Sequence, residues 1–332
     1  MSDLVVWQTP LHTRFRGLNV REGALIRGER GWGEWSPFRE YGTAEVEPWL
    51  RCAEEAAAGD WPEPIRSEVP VNVTVPATDP QRAHAIVAQG GCRTAKVKVA
   101  ERGQTLADDI ARIEAVRDAL GAGGLIRVDA NGGWDVDQAV TAIAALDRAA
   151  GGLEYVEQPT KSVEELAETR RRVEVPIAAD ESIRRAEDPY RVRDLEAADI
   201  AVLKVQPLGG VRACLRIAEE IGLPVVVSSA LETTLGLAAG VALAAALPEL
   251  PHACGLATGQ LLVDDLVRDR LLPRDGMLPV RRADELLVDR ELLAEVTAPL
   301  ERQHWWATRL AEVYAFRDAV AASGGGVRDD RR

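Results

Sequence analysis

The sequence predicts an α/β fold: a (β/α)8 (TIM-like) barrel with an α+β capping domain. Three observations predict it. Short apolar runs recur eight times, at 69–75, 94–99, 124–130, 153–158, 176–180, 199–205, 224–229 and 253–258, with starts 23 to 30 residues apart. Helical stretches lie between them, with apolar residues three and four apart, as at 105–120 and 137–149. Tryptophans gather at the two chain ends: five of the eight lie in the first 61 residues, two more are Trp305 and Trp306, and only Trp134 lies between. The middle is aliphatic. The two ends are therefore expected to pack as one unit and the middle as another.

The first unit, residues 1–68, reads as strands followed by a helix. Segments 4–7, 18–26 and 31–35 have strand-like content broken by glycines. Thr43 is placed to cap a helix over 44–58, and Trp61-Pro62-Glu63-Pro64 ends it as a linker. Residues 69–285 carry the strand–helix repeats. Their nearly continuous apolar strands indicate a parallel sheet buried on both faces. Eight units favour a closed barrel over an open doubly wound sheet. No GxGxxG follows the first strand, which argues against a dinucleotide-binding fold. Residues 286–322 are expected to return to the capping domain. The Gly- and charge-rich stretch 323–332 is expected to be a disordered tail.

Composition narrows the function. A chain of 332 residues suggests two domains, or one barrel with an extension, and needs no disulfide or structural zinc to hold a core. The net charge of −13 and the lack of a basic block argue against nucleic acid and anionic membrane as partners. The longest near-apolar run, 235–247, is 13 residues, short of the roughly 20 that span a bilayer. Residues 1–11 carry an acid and a proline and lack a signal-peptide layout. Cys52, Cys92, Cys214 and Cys254 are scattered and read as reduced, buried thiols of a cytoplasmic protein. The oligomeric state is not legible.

Of the 40 basic residues only four are lysines: Lys96, Lys98, Lys161 and Lys204. Arg cannot give up its proton at usable pH, whereas Lys can. A lysine kept in an arginine background is a candidate for work that Arg cannot do. Lys161, among polar residues after a proline, reads as surface charge.

The strand ends carry the chemistry. They read Lys96-Val97-Lys98, Arg127-Val128-Asp129-Ala130-Asn131, Glu157-Gln158-Pro159, Asp180-Glu181-Ser182 and Lys204-Val205-Gln206. Catalytic groups of such barrels sit at the C-terminal strand ends. Alternation puts Lys96 with Lys98, and Arg127 with Asp129 and Asn131, on one side of their strands. A lone Asp at a strand end is ordinarily a helix cap, and a strand Lys ordinarily guards an edge. A closed barrel has no edge, and inward charges are costly unless paired or metal-bound. Asp129, Glu157 and Asp180, on adjacent strands, would repel one another without a cation between them. Their hard oxygens suit Mg²⁺. The histidines His12, His84, His252 and His304 are too dispersed for zinc. Lys98 and Lys204 lie four strands apart in an eight-stranded ring, so they should face each other across the mouth. Two lysines flanking a metal-bound group fit proton abstraction beside a carboxylate, with the metal stabilising an enediolate. Lys96, a like charge two residues away, is expected to lower the pKa of Lys98.

In this order and spacing, the Lys-x-Lys, the three carboxylates and the last lysine resemble the enolase superfamily, in the muconate-lactonizing-like branch with a lysine on each side of the substrate. Strand 7 ends in Ser228-Ser229, not in the histidine motif of the sugar-acid dehydratase branches. The resemblance implies a modified barrel with a capping domain, Mg²⁺ (Mn²⁺ as a substitute) on Asp129, Glu157 and Asp180, and a small carboxylate substrate. Four further segments narrow it: Thr13-Arg14-Phe15-Arg16-Gly17; Gly31-Trp32-Gly33-Glu34 with Ser36-Pro37-Phe38; Ser228-Ser229-Ala230-Leu231-Glu232-Thr233; and Ala253-Cys254-Gly255-Leu256-Ala257-Thr258. They are similar to members that dehydrate 2-succinyl-6-hydroxy-2,4-cyclohexadiene-1-carboxylate to 2-succinylbenzoate in menaquinone biosynthesis. That similarity implies that Lys98 removes the α-proton and returns it to the departing hydroxide, with Lys204 as the opposing cation. Lys96, Arg127 and Asn131 would support the site. Ser228, Ser229 and Gly255 would meet the succinyl tail through backbone N–H groups, and the stretch with Arg16 would close the mouth. Racemisation or epimerisation of N-acylamino acids or dipeptides by the same lysines is the second expectation, and cycloisomerisation the third. A Schiff-base aldolase fits the carboxylate triad poorly, and a non-catalytic binding barrel leaves the inward charges unexplained.

Overall fold

Arg16 (φ 51°) and Gly17 (φ 76°) turn the chain through a two-residue hairpin between Phe15 and Leu18. Successive positive φ values give the turn whose twist matches antiparallel strands. The hairpin joins β1 (Val5–Phe15) to β2 (Leu18–Arg27), and β3 (Trp32–Trp35) completes a three-stranded antiparallel sheet. The computed structural model describes residues 4–184 and 188–324. Helix α1 (Thr43–Ala58) lies on this sheet and buries Val46, Trp49 and Leu50. Its N-cap is Gly42, not Thr43. The Gly42 N–H donates to the Glu45 carboxylate at 3.0 Å, so the reach-back contact comes from inside the helix and Thr43 is its first residue.

After α1 the chain enters the barrel. The expected strand 69–75 splits. β4 (Glu68–Pro70) pairs antiparallel with β12 (Met277–Pro279), and only β5 (Val73–Val75) joins the barrel sheet. Pro70 has no N–H to donate to a central ladder, which suits a two-stranded ribbon. The barrel sheet continues in parallel through β6 (Thr94–Lys98), β7 (Leu125–Asp129), β8 (Val156–Glu157), β9 (Ile177–Ala179), β10 (Ile200–Lys204) and β11 (Val225–Ser228), in that spatial order. The eighth position is reduced to two residues. Cys254 bridges Val71 and Gly255 bridges Ser228, and the chain then coils into a turn at Ala257–Leu261. A Cβ on Gly255 would lie 2.7 Å from Ser228 Oγ, so this close seam requires glycine.

The connecting helices are α2 (Pro80–Gln89), α3 (Leu106–Leu120), α4 (Val136–Ala150), α5 (Val163–Arg172), α6 (Asp188–Asp194), the short α7 (Val205–Leu208), α8 (Val211–Ile221) and α9 (Thr234–Ala246). Asp79, Thr105, Asp135 and Ser162 each cap their helix by accepting from the third backbone N–H. Helix α9 is buried on every face and sits between barrel and capping sheet. Among the described residues no helix is long and apolar enough to cross a membrane.

The chain end comes back to the first unit through α10 (Arg290–Val296) and α11 (Leu300–Gly324). The Ala298 N–H donates to the Val6 carbonyl at 3.0 Å, and the buried Trp306 ring stands edge-on to Trp35 with centroids 5.2 Å apart. These residues share a core with Val46, Trp49 and Leu50. Of the expected tail 323–332, Ser323 and Gly324 end α11, and 325–332 lie outside the described residues.

Candidate active site

Parallel register aligns the charged strand ends. Lys98 is paired with Asp129 across β6 and β7, and Asp129 with Glu157 across β7 and β8. Asp180 follows directly after β9, and Lys204 ends β10 beside Ser228 of β11. All of these side chains except Glu157, which is buried, border one cavity of about 840 Å³ at the C-terminal end of the barrel.

The charges are tightly interlocked. Lys96 Nζ lies 3.1 Å from Asp129 Oδ2 and 2.8 Å from Glu157 Oε1. Lys98 Nζ donates to Asp129 Oδ2 at 2.5 Å and to Asn131 Oδ1 at 2.7 Å. On the far side of the cavity Lys204 donates to Asp180 Oδ2, which also takes Arg184 Nη2 at 3.0 Å. Burial opposes the charge on Lys96, but Glu157 and Asp129 outweigh it and hold the ammonium well above its usual range. Burial prevails at Lys204, whose pKa is lowered against the pull of Asp180. Glu157 is pushed up to about 8, first by burial and then by the charge of Asp129. Asp129 and Asp180 go the other way: burial would raise both, but the Lys98 and Lys96 ammoniums pull Asp129 down, and Arg184 and Lys204 pull Asp180 down.

The donor set fits a hard divalent cation. Asp180 Oδ1 is buried and has no hydrogen-bond partner among the described residues, which leaves a carboxylate oxygen with an unsatisfied lone pair. The raised Glu157 reports carboxylates crowded beyond what the lysines neutralise. The three carboxylates are not gathered into a ready-made cage: among the described residues no group of three acidic, histidine or cysteine side chains is arranged as one, because lysine ammoniums hold their oxygens. Asp129, Glu157 and Asp180 remain the oxygen set that Mg²⁺ suits.

Other expected residues fall differently. Asn131 (φ 46°) accepts from Lys98 and donates to Glu181 Oε1 at 3.1 Å. Arg127 does not border the cavity. It lies two residues, roughly 6.6 Å along the strand, below Asp129. There its guanidinium is held by Glu154, by Tyr155 Oη at 3.0 Å and by the Ala253 carbonyl at 2.7 Å, deep in the barrel. Ser228, Ser229 and Gly255 do line the wall, but the amides of Ser229 and Gly255 are already engaged. The Ser229 N–H donates to the Gly255 carbonyl and the Gly255 N–H to the Val227 carbonyl, because the closing seam consumes both. Arg16 lies at the roof, where Tyr41 Oη accepts from its guanidinium at 2.9 Å and its Cζ sits 3.7 Å from the Phe38 ring centroid.

Sequence reading gave no role to Glu181, Arg184, Tyr41 and Arg102, which border the cavity together with Arg14 of the stretch expected to close the mouth. Glu181 could have been flagged as the neighbour of Asp180. The arginines are hidden by the arginine-rich background. Glu34, named from sequence only within a segment of the resemblance, received no role of its own, yet it reaches from the capping sheet to the barrel. Its Oε2 accepts from the Thr233 and Gly236 N–H groups, both at 3.1 Å, and so caps the N-terminus of α9.

The chain matches the enolase N-terminal domain-like family over residues 6–57 and the enolase C-terminal domain-like family over residues 80–284. It is 64% identical over 316 residues to the o-succinylbenzoate synthase of Thermobifida fusca (strain YX), covering 95% of this chain and 97% of that one. The chain belongs to the o-succinylbenzoate synthase family of the enolase superfamily. The o-succinylbenzoate synthase of Mycolicibacterium smegmatis is 55% identical, covering 95% of this chain and 96% of the other. The muconate lactonizing enzyme of Pseudomonas fluorescens, solved with muconolactone, superposes with a TM-score of 0.79 over 90% of this chain and 98% of that one. At 22% identity that likeness speaks for the fold alone. The segments that carry the o-succinylbenzoate synthase resemblance converge in space. Thr13 to Gly17 and Phe38 form the roof of the cavity, Ser228 to Leu231 with Gly255 and Thr258 form one wall, Glu34 accepts from the Thr233 N–H that follows this wall, and the Ser36 N–H donates to Gln206 Oε1.

Proposed function

We propose that this chain is a lyase that removes water from 2-succinyl-6-hydroxy-2,4-cyclohexadiene-1-carboxylate to give 2-succinylbenzoate, in the cytoplasm, as a step of menaquinone biosynthesis. The observation that carries the chemistry is the opposed pair of ammonium groups. Lys98 on β6 and Lys204 on β10 border the same cavity from strands four places apart in the sheet. The family relationship carries the substrate.

Lys98 in its neutral form takes the proton α to the ring carboxylate. The C–H electron pair becomes part of the new ring double bond, the C–O bond breaks, and Lys98 returns the proton to the leaving hydroxide on the same face, so that water departs. Asp129 and Asn131 aim the Lys98 Nζ. Lys204, oriented by Asp180, is the cation facing the opposite side, where it offsets negative charge developing on the substrate. Asp129, Glu157 and Asp180 would hold Mg²⁺, or Mn²⁺ in its place, which when bound supplies a fixed positive charge for the substrate carboxylate. The β1–β2 hairpin covers the base, with the Phe15 ring centroid 5.7 Å from Lys98 Nζ, and keeps water from it. Aromatisation of the product lowers what the protein must contribute.

The test is direct. Purified protein, Mg²⁺ and the cyclohexadiene acid are mixed, and the ultraviolet change on aromatisation is followed. Turnover is expected. No turnover, together with deuterium exchange into both enantiomers of an N-succinylamino acid, would replace this reading with racemisation.

A further inference from the structure

Arg21, on β2 of the capping sheet, is 2% exposed and lies well away from the lysines in sequence. Among the described residues it forms no ion pair of its own; its donors end on main-chain carbonyls. Nε donates to the Leu231 carbonyl at 3.0 Å, Nη2 to the Ala230 carbonyl at 3.3 Å and to the Ser36 carbonyl, and Nη1 to the Glu22 carbonyl at 2.8 Å. A guanidinium buried in this way organises backbone.

The backbone it organises is strained. Leu231 has φ 70°, a left-handed conformation that a residue with a Cβ rarely adopts. Its neighbours are held as firmly: the Ala230 N–H donates to Glu232 Oε2 at 2.8 Å, and the Thr233 N–H to Glu34. A glycine would adopt this turn without strain, yet the chain has a leucine. The side chain accounts for it, because Leu231 packs with Leu261 and Leu262 against Leu11 and Phe15. Phe15 is the ring over Lys98.

We infer that Arg21 is a positioning residue for the reaction: by clamping the Ala230 and Leu231 carbonyls it holds Leu231 left-handed, so that residues 229–231 form the cavity wall on which Phe15 and the hairpin roof seat. This rests on the dehydration proposed above. Arg21 touches no reacting atom. Its effect reaches the substrate through the shape of the wall and roof, so it belongs to substrate binding more than to the proton step.

The experiment is a double-mutant cycle between Arg21→Lys and Leu231→Gly, read as KM and kcat for the cyclohexadiene acid, with Arg21→Met as a stronger variant where it folds. Lysine keeps the charge but cannot hold several carbonyls at once. Arg21→Lys should raise KM about ten-fold and change kcat less than about three-fold, since uniform binding is what the wall supplies. In the Leu231→Gly background, where the turn needs no clamp, the same change should raise KM less than about three-fold. A merely structural role would lower the folded fraction, which reduces apparent kcat and Tm and leaves KM alone. An unchanged KM in Arg21→Lys, or full additivity with Leu231→Gly, overturns the inference while the wild type still turns over. An inactive wild type overturns the dehydration reading instead.

Discussion

Lys98 Nζ donates to Asn131 Oδ1 at 2.7 Å, and Asn131 meets it from a left-handed backbone, φ 46°. Asparagine tolerates that conformation better than most residues. The contact gives Lys98 Nζ a neutral acceptor beside Asp129 Oδ2, whereas among the described residues the side-chain acceptor of Lys204 Nζ is the Asp180 carboxylate.

The two lysines should therefore respond differently to substitution. Lys98→Arg keeps the charge but cannot act as a base, and kcat/KM should fall by on the order of 10²–10⁴. Lys98→Ala should be as inactive. Lys204→Arg should retain part of the activity, and Lys204→Ala much less. Steady-state rates with the cyclohexadiene acid decide it. Near wild-type dehydration by Lys98→Arg beside an inactive Lys204→Arg would move the base to the other face. In any racemisation side activity both arginine variants should be equally damaging, measured by deuterium exchange from each enantiomer.

Metal removal should abolish activity. EDTA should stop turnover, and Mg²⁺ or Mn²⁺ should restore it. Asp129→Asn should weaken metal binding in calorimetry while circular dichroism stays native. If the three carboxylates stand more than about 4 Å from the ion in a structure with saturating Mg²⁺, against roughly 2.1 Å for a Mg–O bond, the ligand assignment fails.

Stability should fall with rising pH because of Glu34. Burial between cap and barrel pushes its carboxyl up to about 7, against an ordinary 4.5. The folded state therefore holds a proton that the unfolded chain loses. This stabilisation is complete below about pH 4.5 and is lost as the pH rises through 7; the whole window is worth on the order of 3 kcal/mol. Glu232, raised by burial too, shares the direction. Asp129 and Asp180 act oppositely, below their ordinary range, so their losses come in acid. Thermal melts with saturating Mg²⁺ should show Tm decreasing from pH 5 to pH 8, and Glu34→Gln should flatten the slope. An equal slope in the variant would remove Glu34 as the cause.

Gly33→Ala should be severely destabilising. A Cβ there would lie 1.8 Å from the Ala53 carbonyl oxygen and 2.6 Å from its carbon, and both atoms are helix backbone. Strand β3 and α1 would have to separate, a cost at or above the roughly 1–3 kcal/mol of ordinary overpacking. Urea unfolding measures it, and a change under about 0.5 kcal/mol would contradict the close packing of strand on helix.

The sequence by itself determined the repeat and marked the charged strand ends. Strand–helix alternation is written locally, because buried parallel strands need near-continuous apolar runs. Lys98, Lys204, Asp129, Glu157 and Asp180 are legible for a related reason: charge at the end of an apolar strand contradicts its surroundings and demands a function. The tertiary structure alone decided what depends on residues far apart in the chain. The eighth strand shrinks to Cys254 and Gly255 because the seam is closed by bridges to Val71 and Ser228. Arg127 shares a strand face with Asp129, but depth along the barrel axis assigns it to Glu154 and Tyr155. Glu34 caps α9, and Arg21 clamps Leu231, across separations of about 200 residues. Periodicity records which face a side chain takes, whereas hydrogen bonds between distant segments exist only once the capping sheet and the barrel have packed together.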